Sequence, residues 1–140
     1  MAILPVVGFI VSGIISVSSV GSIVALLHDA QSVIIPNLEV LGRMRGSRLN
    51  FNIEILSAID HPETRTKVLV DAEKYLQEYK NAYEDYKNNP FIPGEAEIHE
   101  SQKHYIDEVI NLMSDLVKLL NSSEPENHEK AKALYYAKMN

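Results

Sequence analysis

A chain of 140 residues with 19 acidic against 13 basic side chains and a formal net charge of −6 has the length of one small domain. It lacks the positive field that holds a phosphate backbone, so nucleic acid is not an expected partner. Cysteine is absent, which removes a disulfide framework and thiolate metal sites and leaves the redox compartment unread.

The charge is unevenly spread. From Met1 to Leu27 there is no Asp, Glu, Lys, Arg or His, whereas charged residues recur from His28 to the end. Val6 to Leu27 would be roughly 33 Å long at about 1.5 Å per helical residue, enough to cross a hydrocarbon core of about 30 Å. Residues 1–27 are therefore expected to form a transmembrane helix, with a lipid membrane as partner. A cleaved signal peptide is the rival, since Ser19-Val20-Gly21 resembles a cleavage site. Against it, no Lys or Arg precedes the run and Ser22 to Leu27 prolongs it. Gly8, Ser12 and Ser16, then Gly21 and Ala25, recur every four residues, a spacing that allows a second helix to approach and is also common in such spans. Orientation is not legible from charge, because the first basic residues after the run are Arg43, Arg45 and Arg48.

Residues 28–140 read as a single helical domain. The first helix runs from about His28 to Ile59, bent at Pro36. Asp60-His61-Pro62-Glu63 then places an N-cap residue three positions before a Glu with Pro in the first turn. Leu69, Ala72, Leu76, Tyr79, Tyr83 and Tyr86 alternate spacings of three and four, the seam of a bundle helix. Breakers from Asn88 to Gly94 end it. Ile98, Gln102, Tyr105, Val109, Leu112, Leu116 and Leu119 keep the rhythm in a third helix, which Ile106, Ile110, Met113, Val117 and Leu120 widen. Ser123-Glu124-Pro125-Glu126 marks the start of a fourth. The expected fold is all-α, an N-terminal transmembrane helix continuing into an antiparallel up-down bundle.

On the first helix Arg45, Arg48 and Asn52 stand three and four apart, sharing a face with Leu38, Leu41, Ile55 and Ile59. A buried cation is costly unless paired, and Arg presents a planar fork suited to a carboxylate. One reading is a small-carboxylate site, to which Tyr79 adds a hydroxyl. The other is that both guanidiniums reach solvent or pair with an acid such as Glu39 or Asp71. Gly42 and Gly46 each cost a helix about 1 kcal/mol relative to Ala and share a face with Leu49 and Ile53. Close helix approach there would explain them, as would a tolerated weak spot at a bend. His99-Glu100-Ser101-Gln102-Lys103-His104 has its histidines five apart, diverging by about 140° around a helix, so it is not the zincin pair. His28, His61 and His128 are isolated and no catalytic constellation can be named. A non-enzyme without metal or cofactor is expected.

The order of these elements resembles the extracytoplasmic four-helix-bundle sensory domain of methyl-accepting chemotaxis proteins, shared with some sensor kinases and cyclases. The resemblance lies in the N-terminal span, Ile35-Pro36-Asn37-Leu38 and Leu41-Gly42-Arg43-Met44-Arg45 on the first helix, the hinge Asp60-His61-Pro62-Glu63 and the Tyr-rich second helix. It implies a bacterial inner-membrane sensor with its bundle outside the cytoplasm. It further implies a parallel homodimer packed through first helices, with a small organic acid or amino acid as ligand. Two departures accompany it. Members usually begin with a short basic stretch that Met1-Ala2-Ile3-Leu4 lacks, and they continue through a full fourth helix, a second span and a cytoplasmic signalling hairpin, so the fourth helix is expected to be incomplete here. The alternatives are the input module of a membrane kinase or cyclase, and a membrane-anchored helical interaction protein with no small ligand.

Overall fold

The computed structural model describes residues 20–139, and these are helical apart from short connections. They divide after Pro36 into two compact units.

In the N-terminal unit, residues 20–29 are α-helical and Ala30–Ile34 form a π-helical turn. Pro36 accounts for the wider turn. Its ring crowds the carbonyl four residues back and supplies no N–H to it, and just before it the Ile35 N–H reaches five residues back to the Ala30 carbonyl. The irregularity expected at Pro36 is thus absorbed in the turn before it. Most of the expected span, residues 1–27, lies outside the described residues. Its described end is helical, with Val20, Ile23, Val24, Leu26 and Leu27 all exposed. No helix among the described residues is long and apolar enough to cross a membrane.

Four helices carry the second unit: α1 (Ile35–Asp60, entering the unit at Asn37), α2 (Arg65–Asn88), α3 (Glu95–Asn121) and α4 (Pro125–Lys138). Cross-links set their directions. Asn37 reaches Pro90, Arg43 pairs with Asp85, and Arg65 bonds the Ala58 carbonyl, so α2 runs back along α1. The Tyr86 hydroxyl donates to Glu95 and that of Tyr83 lies 3.3 Å from His99 Nε2, which folds α3 back along α2. The short connection over residues 122–124 returns α4 onto α3. The result is the expected all-α up-down arrangement, with a fourth helix of 14 residues against 27 in α3.

Phe51, Ile55, Met113, Leu116 and Leu120 are the largest fully buried side chains, and the α2 seam from Leu69 to Tyr86 packs against them. The α1 seam differs from the expected one. Asn37, Val40, Met44, Ser47, Phe51, Ile55 and Ala58 face the core, while Leu38 and Leu41 are exposed. Helix α1 is apolar on two sides, and only one of them is covered.

The boundaries fall where the breakers stand, with caps that differ from those expected. A 3₁₀ turn over Pro62–Thr64 precedes α2, and the Asp60 side chain caps nothing. At α4 the Ser122 hydroxyl, rather than that of Ser123, accepts bonds from the Glu124 N–H and the Asn127 side chain. Gly94, at φ 86°, begins α3 in the left-handed region open to glycine.

Candidate functional site

The outward side of α1 exposes a row of large apolar side chains. Leu38, Leu49 and Ile53 are 62, 58 and 57 % exposed, and Leu41 and Leu56 continue the stripe. At about 100° per residue these positions lie nearly opposite Val40, Met44, Phe51 and Ile55. Gly42 and Gly46 belong to the same side. A methyl group built on either would meet nothing within 4 Å, so no neighbour among the described residues requires a glycine there.

Arg45 stands in the middle of this stripe, exposed, and Arg48 stands at its edge, also exposed. Neither forms an ion pair or hydrogen bond among the described residues, so the partners considered for them, Glu39 and Asp71, are not used. The arginine of α1 that does pair among the described residues is Arg43, 2.7 Å from Asp85. Asn52 is half-buried, and its Oδ1 is buried without a hydrogen-bond partner. Tyr79 is buried on α2. Burial pushes its phenol up, and the nearby Arg48 charge pulls it partly back. The structure brings Arg48 into electrostatic reach of Tyr79 and leaves Arg45 facing out. Beside them Arg43, Gly46, Ser47 and Asn50 of α1, with Glu78 and Asn81 of α2, line an open polar cavity of about 520 Å³.

A second group is not visible in the sequence spacing. Arg65, at the start of α2, donates through Nε to the Ala58 carbonyl at 3.0 Å, and its Nη1 lies 2.7 Å from His128 Nδ1 and 3.1 Å from Nε2. His128 Nε2 lies 2.7 Å from the Ser122 carbonyl. The Ser122 carbonyl can only accept, so this contact calls for the imidazole hydrogen on Nε2 and leaves Nδ1 as the acceptor for Arg65. The corner so tied joins the α1–α2 turn to the α3–α4 turn. Two residues 63 positions apart carry no periodic signal. The one local hint was a histidine in the first turn after Pro125.

At the other end, Glu95 gathers donors from three elements: Asn37 Nδ2 at 3.2 Å, the Tyr86 hydroxyl at 2.8 Å and the Ile92 N–H at 3.0 Å. With its oxygens occupied in this way, Glu95 is a structural acceptor. His99, whose ring packs near Tyr83, Tyr86 and Phe91, belongs to the same knot. No group of three or more His, Cys, Asp or Glu positioned to hold a metal occurs among the described residues. No protein-family description matches the chain, and neither the curated proteins nor the solved structures contain a match to it.

Proposed function

We propose that the chain is the ligand-sensing input of a membrane signalling receptor of the methyl-accepting chemotaxis kind, working as a homodimer through the outward side of α1. The apolar N-terminal segment anchors it in the inner membrane and the bundle lies outside the cytoplasm. The observation that carries this reading is the inversion on α1. Leucines and an isoleucine face solvent, while Asn37 and Ser47 of the same helix are buried. A lone helix face of that composition is stabilised by a partner helix, and the open space over Gly42 and Gly46 is where a second backbone can come close.

Two parallel copies would bring their Arg45 side chains toward one another. The stripe of Leu38, Leu41, Gly42, Leu49, Ile53 and Leu56 carries no acid to neutralise them. A small carboxylate received by Arg45 and Arg48 supplies the missing charge, since the guanidinium fork matches its two oxygens. Ligand binding and dimer geometry are then coupled, which is what a receptor requires to pass a signal across a membrane. The input module of a sensor kinase or cyclase would use the same bundle. A helical interaction protein with no small ligand is favoured by a separate observation, the exposure of both arginines.

Cysteine crosslinking in membranes tests the reading, on a background with no native cysteine. Single cysteines at positions 46, 49 and 53 are expected to crosslink efficiently and one at position 43 is not. Equal efficiency at all four removes the interface. Thermal-shift screening of small organic acids and amino acids then separates the receptor from the ligand-free alternative.

A further inference from the structure

Where the α1–α2 turn meets the α3–α4 turn lies a cavity of about 270 Å³, with Ile59, Pro62, Leu120 and Pro125 as apolar walls. Arg65, His128 and Lys132 line it together with a single acid, Glu129. We propose that this corner binds the carboxylate of a compact, apolar monocarboxylic acid, held by Arg65 and Lys132 with its hydrocarbon body against the four walls. The site is separate from the outward face of α1 and needs no second copy.

The arrangement of Arg65 carries the proposal. Its Nε is fixed by the Ala58 carbonyl and its Nη1 by His128, which is itself held by the Ser122 carbonyl. A planar guanidinium fixed at two nitrogens has its third, Nη2, directed as well, and Nη2 has no hydrogen-bond partner among the described residues. The orientation that a carboxylate needs is therefore in place before it arrives, which lowers the entropic cost of binding. Lys132 forms no ion pair among the described residues and its ammonium is available as a second donor.

Glu129 and the walls narrow the class. A second carboxylate, or a multiply charged phosphate, would face the Glu129 charge, whereas a monocarboxylate satisfies the cations and leaves no like charge opposed. The prolines, Ile59 and Leu120 return binding energy only to a ligand with apolar surface to bury.

The test is a nuclear magnetic resonance titration of the full chain in detergent micelles, isotope-labelled at histidine, with butyrate, acetate and inorganic phosphate as probes. Butyrate is expected to shift the His128 ring signals saturably and acetate to bind at least threefold more weakly. Lys132→Ala is expected to weaken butyrate at least threefold and Arg65→Gln at least tenfold, while Arg48→Ala leaves it unchanged. Absence of saturable shifts overturns the proposal, as does phosphate binding in preference to butyrate. Loss of butyrate binding in Arg48→Ala would move the ligand to the α1 face and equally overturn the corner, without bearing on the dimer. Should Arg65→Gln unfold, Lys132→Ala decides, because that side chain forms no hydrogen bond or ion pair among the described residues: unchanged butyrate affinity there ends the proposal.

Discussion

The side-chain amide of Asn37 lies 3.2 Å from Glu95 Oε2, joining residues 58 positions apart at the entry to α1 and the start of α3. The same nitrogen bonds the Pro90 carbonyl at 3.0 Å. Asn37 is 4 % exposed and its Oδ1 has no partner. The amide is oriented by its acceptors: turned over, it would set Oδ1 against a carbonyl and a carboxylate, so the nitrogen takes both bonds and the oxygen goes without.

Glu95→Ala removes the acceptor for Asn37, Tyr86 and Ile92 at once. An unsatisfied buried donor costs about 1 to 3 kcal/mol, so the substitution is expected to destabilise by about 2 to 4 kcal/mol. Glu95→Gln keeps one acceptor oxygen and should cost about half as much. Urea unfolding of both variants checks it, and equal effects would show that shape rather than acceptor chemistry matters.

Phe51 and Ile55 are completely buried on α1. Phe51→Ala is expected to cost about 3 to 5 kcal/mol, whereas Leu49→Ala, two residues earlier but facing out, should change the monomer by less than about 0.5 kcal/mol. Melting curves of the two variants under monomeric conditions decide which side of α1 is the core side.

Burial and the hydrogen bond to Glu95 push the Tyr86 phenol up to about 12. In the unfolded chain it ionises near pH 10. Above that pH the unfolded state sheds a proton that the folded state retains, so stability is complete below about pH 10 and falls as pH rises toward 12. Tyr79, Tyr83 and Tyr135 are raised as well, chiefly by burial, and act in the same direction. Denaturant midpoints measured from pH 9 to 12 should decline, and less steeply in Tyr86→Phe. An identical decline in that variant would take Tyr86 out of the effect.

The exposure of Arg48 sets its energetics apart from those of a buried cation. Arg48→Ala is expected to move the apo melting point little, by less than about 0.5 kcal/mol in stability. If Arg48 receives a ligand carboxylate, the same variant should lose about 2 kcal/mol or more of affinity for the best acid found by screening. Calorimetric titration measures this directly, and unchanged affinity ends the assignment.

Helix α2 shows what periodicity alone can determine. Leu69, Ala72, Leu76, Tyr79, Tyr83 and Tyr86 form its single apolar stripe, and all six are buried. A helix with one apolar side has one way to face a core. The breakers between Asn88 and Gly94 and at Pro62 and Pro125 likewise place the helix boundaries, because missing donors and restricted dihedrals act locally. Helix α1 exceeds that logic. It offers two apolar sides, and its leucines made the outward one look like the seam. The choice between them rests on partners: among the described residues Asn37 finds its acceptors at Pro90 and Glu95, and Phe51 and Ile55 fill the space between the helices. The Arg65–His128 corner depends wholly on tertiary structure, since its geometry exists only after two separate turns meet. Local chemistry sets which residues become helix and where each helix stops. Which face turns inward, and which distant side chains touch, is a property of the packed assembly, where burial and hydrogen-bond satisfaction are decided jointly by all four helices.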